Sequence, residues 1–247
     1  MLLEWTDLLN EINDLFVKVT CDKIFKNEKE DFLIHVKNCL KLNNPQDWNY
    51  ILASEDILDD SNAAISSFLK FGMSGPTKYE DLGEKYLRLY GVLNAIYMQQ
   101  QAILNLYKFF QCKNLKLLKE KLKASETIEI RHKLASHSVS YNDQASDQIH
   151  AFVPVRIEMD DFKCSYFNPV NDAYESADLK KGIEEHLVLM CTTYIEIFKK
   201  TVSTIYKCNT DKTNTILTLL DPFEKMINGC KLMKDKTTGQ FVVLEFV

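Results

Sequence analysis

Glycine and proline are both scarce in this chain, at seven and five residues of 247. A β-sandwich or a glycine-punctuated α/β fold needs many tight turns, so the shortage favours long helices over both. An excess of basic residues is also lacking. The net charge of -5 excludes an indiscriminate polyanion binder, which needs a broad basic surface, and leaves room for a local basic pocket. No run approaches the ~18 apolar residues of a membrane span. The opening stretch MLLEWTDLLNEINDLF carries acids where a signal peptide has positive charge. The expectation is a cytoplasmic protein with no membrane partner.

The usual chemical motifs are missing as well. There is no G-x-x-x-x-G-K-[ST] and no G-x-G-x-x-G, so no phosphate-cradling loop of the common kinds is encoded, and there is no H-E-x-x-H. The seven cysteines stand singly and form no C-x-x-C pair. They read as free thiols, not as a disulfide framework or a zinc site. The acidic pairs Asp59-Asp60 and Asp160-Asp161 are expected at solvated turns. His35, His150 and His186 have no ligand spacing and are expected to be half-buried or at the surface. No metal and no cofactor are expected.

What is present is helical periodicity. Leu2, Trp5, Leu9, Ile12 and Phe16 recur at three- and four-residue steps and predict a helix over residues 1–20. Further helices are expected near 30–41 and from 47 to 71, the latter with a kink near SEDILDDSN. GMSGPTKYED is the clearest loop of the first half. From Leu82 onward, Tyr86, Leu89, Leu93, Ile96, Gln100, Ile103, Tyr107 and Phe110 form one stripe. Val92, Ala95, Gln99, Ala102, Leu106 and Phe109 flank it, which predicts a central helix packed on several sides. Gln100 interrupts the main stripe. It reads first as a core glutamine satisfied by a neighbouring helix, and second as a polar group aimed at a site.

The basic stretch CKNLKLLKEKLKAS and the following ETIEIRHKLASHS are both expected to be helical, with a break near Ala124-Ser125 and Ser125 as a cap. FVPVRIEM and FKCSYF read as two strands around a tight turn, and NPVNDAYESAD as a loop. A long helix is predicted over 178–207, a shorter one over 212–228, and a terminal hairpin turns at KTTG. The fold class is mainly α, a helical bundle with a small antiparallel β element from hairpins near 153–167 and 231–247. Residues 1–75 are read as an N-terminal helical extension packed on a core formed by 76–247.

One segment concentrates chemistry. EIRHKLASHS places Arg131, His132 and His137 within a few residues, although the chain has only five histidines. On an ideal helix Arg131 and His137 sit about 120° apart, so they converge only if the helix ends or a partner surface completes the site. Imidazole exchanges protons near its ordinary pKa of ~6.5, and guanidinium presents a charged planar fork to phosphate. Together they suit RNA cleavage without a metal. A lone imidazole does not readily serve as base and acid at once; a second copy of the chain, or His132, would supply the other. The alternative is a helix end, where cations are favoured by the dipole.

RHKLASH resembles the R-[N/D/H]-x4-6-H motif of the HEPN superfamily, with His132 in the polar second position. The upstream YLRLYGVLNAIYMQQQAI is similar to the long central helix of bacterial HEPN-type proteins, and the resemblance spans roughly residues 80–207. It implies a HEPN-like helical bundle that forms a homodimer with the motifs meeting at the interface. It also implies metal-independent endoribonuclease activity, often in toxin–antitoxin or phage-defence systems, with a protein antitoxin as a possible partner. Carried over, Arg131 and His137 would be catalytic and His132 would orient or assist. Apart from the resemblance, the basic run itself offers Lys119, Lys121 and Lys123, with Lys133, as an RNA-facing edge, and reads first as a solvated helix face. A binding module for RNA or nucleotide without turnover, and a structural or regulatory helical protein, are the other two readings.

Overall fold

The computed structural model describes residues 2–25, 31–76, 81–136, 141–143, 148–170 and 172–244. Among these the chain is mainly helical, and its strands form three small antiparallel sheets. Contacts divide it into two compact units. The first comprises residues 1–59, 101–115 and 187–247; the second comprises 60–100 and 116–186. The sequence boundary expected at 75–76 falls inside the second unit.

In the first unit, helix α1 (Trp5–Ile24) begins later than the periodicity suggests. The preceding residues are used as strand: Leu2 bridges Met233, and the Leu3 N–H donates to the Leu232 carbonyl at 2.8 Å. Helix α2 (Phe32–Leu40) is capped by Asp31, whose carboxylate accepts from the N–H groups of Leu33 and Ile34. Helix α3 (Asp47–Phe71) has the expected bounds and passes unbroken through SEDILDDSN. Asp59 and Asp60 therefore lie inside a helix rather than at a turn. The Asp59 carboxylate accepts from the Asn13 side chain at 2.8 Å, and Asn13 in turn accepts from the Tyr194 hydroxyl.

The core of this unit is aromatic. The Phe16 ring meets Phe110, Tyr194 and Phe198 at centroid distances of 5.2, 5.4 and 5.5 Å. The helix expected over 212–228 is two helices, α8 (Thr210–Thr218) and α9 (Asp221–Ile227). Pro222 explains the break, because its ring starts a helix easily and cannot continue one. The terminal hairpin pairs β6 (Lys231–Lys234) with β7 (Phe241–Leu244) as expected.

To the second unit, α4 (Leu82–Phe109) contributes its residues 82–100, with Leu89, Val92, Leu93 and Ile96 in the core from both expected registers. Its third side carries the exposed Leu87, Tyr90 and Met98. Helix α7 (Leu179–Ile205) supplies Ile183 and His186 to this unit. Strands β3 (Val153–Asp160), β4 (Lys163–Asn168) and β5 (Ala173–Asp178) form a sheet in the order β3-β4-β5. Strand β5 lies where a loop is expected. Only Ala177 of its residues is buried, so no hydrophobic alternation marks it, and pairing with β4 along its whole length creates it. A further short pair, β1 (Tyr141–Asp143) with β2 (Gln148–His150), occupies a stretch whose polarity suggests a turn. The hairpins near 153–167 and 231–247 belong to separate sheets rather than to one.

Candidate functional site

Helix α5 (Leu115–Lys123) precedes the motif segment and buries Leu118 and Leu122. Lys119, Lys121 and Lys123 are exposed. Lys116, Lys119 and Lys123 follow one another at helical spacing along a single line, and Lys121 lies away from it. Helix α6 (Glu126–Arg131) then begins at Ser125. Ser125 stands at the cap position, but its hydroxyl does not bond the helix as expected. It accepts from the Gln100 side chain at 3.5 Å and lies 3.2 Å from the Thr127 hydroxyl. Gln100 is thus a core glutamine held by a neighbouring element, the first of its two readings. Gly182 lets α7 approach α6 closely, since a Cβ there would stand 3.0 Å from the Thr127 methyl carbon.

Arg131 ends α6, and a π-helical turn, His132–Ser136, follows. Such wide turns interrupt α-helices mostly in single pieces and recur at functional sites. The Arg131 guanidinium carbon lies 4.0 Å from the centroid of the Tyr97 ring on α4. Its Nε is buried and has no hydrogen-bond partner, and no carboxylate pairs with it among the described residues. His132 is half-buried. His137 lies outside the described residues.

Lys133 is buried, with its ammonium 2.9 Å from Glu129 and 2.8 Å from Glu175. It also faces the rings of Phe152 and Tyr166. Burial works against its charge, but the hydrogen bonds to Glu175 and Glu129 raise its pKa above the usual lysine range. Burial likewise opposes ionisation of Glu175, yet hydrogen bonds from Lys133 and from the Tyr166 hydroxyl hold it below its ordinary value. Lys133 thereby ties the π-helical turn to β4 and β5, and its charge is engaged within the chain.

Two histidines differ from the expected half-buried or surface setting. His186 is fully buried and bonds Gln99 at 2.8 Å, and burial lowers its pKa to about 3. Its Nδ1 and the Gln99 Nε2 have no partner. His150 is buried and bonds Asn168 at 2.8 Å. Comparison with family models, curated proteins and solved structures finds no match for the chain. Among the described residues no group of three or more His, Cys, Asp or Glu is arranged to hold a metal ion, and no helix is long and apolar enough to cross a membrane.

Sequence reading overlooked Tyr97, Tyr166 and Glu175. Tyr97 stands next to the MQQQ run and carries no local sign of its role. Glu175 lies in the strand that reads as a loop. The one usable signal was the glutamine run itself, because buried polar groups in an apolar helix require partners.

Proposed function

We propose that the chain is a metal-independent endoribonuclease of the HEPN type acting through Arg131 and His137. The ribose 2'-oxygen attacks phosphorus, the bond to the 5'-oxygen breaks, and a 2',3'-cyclic phosphate and a 5'-hydroxyl are left. His137 takes the 2'-hydroxyl proton or protonates the leaving oxygen; the complementary transfer belongs to His132 or to the motif of a second copy. Arg131 stabilises the charge that builds on the phosphoryl oxygens. The exposed lysines of α5, Lys119, Lys121 and Lys123, lead the RNA backbone toward it.

The observation that carries this reading is the state of Arg131. A guanidinium tied to a carboxylate would be a structural ion pair. Here one face is held by Tyr97, and no described carboxylate takes the charge. That leaves a preorganised fork for a phosphate. The rest of the HEPN expectation belongs to the same proposal: a cytoplasmic homodimer, a phage-defence or toxin setting, and a protein antitoxin. A second reading, binding of RNA or nucleotide without turnover, is favoured by the α5 lysines, which serve backbone contact but not proton transfer.

The test is cleavage of mixed-sequence RNA in EDTA, with the ends mapped chemically. Cyclic phosphate ends are expected, and Arg131→Ala and His137→Ala should each lower the rate by about 10²-fold or more while the circular dichroism spectrum stays unchanged. RNA left intact by the folded wild type, but retarded in a gel, would transfer the case to the binding module.

A further inference from the structure

Strand β3 is an edge of its sheet, and its pairing with β4 is interrupted between Pro154 and Met159. Val153 and Pro154 pair with Phe167 and Tyr166, whereas Met159 and Asp160 pair with Cys164 and Lys163. Residues 155–158 therefore stand opposite Ser165 alone, and the register leaves their backbone groups without a full ladder in β4. At the centre of this segment Ile157 is 92% exposed, the most exposed of the large hydrophobic side chains described. Arg156 and Glu158 flank it, both exposed, and neither has an ion pair or side-chain hydrogen bond among the described residues. Beside them lies a concavity of about 430 Å³ lined by Leu82, Lys85, Arg156 and Ile157. Its wall is fixed by the Lys85 ammonium, which donates to the Met159 carbonyl at 3.0 Å, and Leu82 is 38% exposed.

We propose that this edge is where two copies of the chain meet, with β3 pairing antiparallel to β3 of the second copy about a two-fold axis through Ile157. The order Arg156-Ile157-Glu158 is self-complementary under that symmetry. Each Arg156 comes opposite the second copy's Glu158, and each Glu158 opposite its Arg156, on one face of the ribbon. The two Ile157 side chains meet across the axis, beside the concavity that Arg156 and Leu82 also line. Charged residues and a bulge ordinarily guard an edge strand against pairing. Here the charges do not guard against a copy of the same chain, because self-pairing converts both unpaired charges into cross-strand ion pairs and covers the exposed isoleucine. An unrelated strand would match Arg156 and Glu158 only if it carried an acid and a base at the two facing positions. The contact is distinct from any meeting of the motifs at α6 and the turn after it, and a dimer indifferent to changes at 156 and 158 would overturn this assignment while leaving the ribonuclease reading standing.

Sedimentation velocity across a concentration series tests it with four proteins: wild type, R156E, E158R and the double charge swap. The wild type should show a concentration-dependent dimer. Each single swap places like charges opposite each other twice and should weaken the dimer by roughly tenfold or more. The double swap should restore it, and an equimolar mixture of the two single variants should form a mixed dimer. Both substituted positions, 156 and 158, are exposed, and unchanged circular dichroism verifies the fold. A monomeric wild type, a dimer indifferent to the single swaps, or a double swap that stays monomeric would each overturn the assignment.

Discussion

The guanidinium carbon of Arg131 lies 4.0 Å from the centre of the Tyr97 ring. One turn further along α4, Gln100 holds Ser125 at the other end of α6. Two side chains of one helix thus grip both ends of a six-residue helix that is too short to be stable alone. The motif arginine is positioned by Tyr97, which lies in the same unit as α6.

Removing that ring should loosen the arginine without unfolding the chain. On the ribonuclease activity proposed above, Tyr97→Ala is expected to slow RNA cleavage by roughly 3- to 30-fold, the range of a cation–π contact, and Tyr97→Phe should keep most of the rate. Single-turnover kinetics with a short labelled RNA read this directly. Equal losses in both variants would mean that the hydroxyl, and not the ring face, matters.

Lys133→Met keeps the aliphatic stem and removes the ammonium. Glu129 and Glu175 then face each other's side of the turn without their cation, and stability should fall by about 1–3 kcal/mol at neutral pH. Glu175 is held below its ordinary pKa, so its contribution is present above the ordinary carboxylate range and fades as pH falls through it. Urea melts at neutral and acid pH should therefore show a difference between wild type and variant that shrinks on acidification.

Gly72→Ala should be among the most damaging single-methyl changes in the chain. Gly72 has φ of 61°, and an added Cβ would meet the Asp161 backbone at 3.0 Å. The neighbouring Met73 N–H donates to the Asp161 carbonyl at 2.8 Å, so the two segments cannot separate cheaply. A loss of at least about 2 kcal/mol is expected from the left-handed backbone and the forced shift together, read as a lowered urea midpoint.

Two buried groups give opposite pH dependences. Burial, then the nearby Asp59 and Asp56, push Glu55 from 4.5 up to about 8. The native state keeps a proton that the unfolded state releases, so stability falls between those values by up to ~1.4 kcal/mol per pH unit. His186 is lowered from 6.5 to about 3 by burial, so the unfolded state takes a proton that the native state refuses, and stability falls as pH drops across that interval. Glu55→Gln should remove the alkaline decline and leave the acid one, as measured by urea midpoints from pH 4 to pH 9 taken in steps of about one unit.

Much of this molecule was legible from residue order alone. The three- and four-residue steps of Leu89, Leu93 and Ile96 are enough to define α4, and the alternation and turn around Asp160-Asp161 define the β3–β4 hairpin, because both signals repeat within a few residues. Arg131 and its histidines were visible as a cluster for the same reason. Tertiary structure alone decided that Lys133 is spent on Glu175, 42 residues away, that β5 is a strand, that His186 is buried against Gln99, and that Tyr97 holds Arg131. Each of these depends on a partner brought near by folding, and the preference of a charged or polar side chain is set by the dielectric and the donors around it, which local periodicity does not encode.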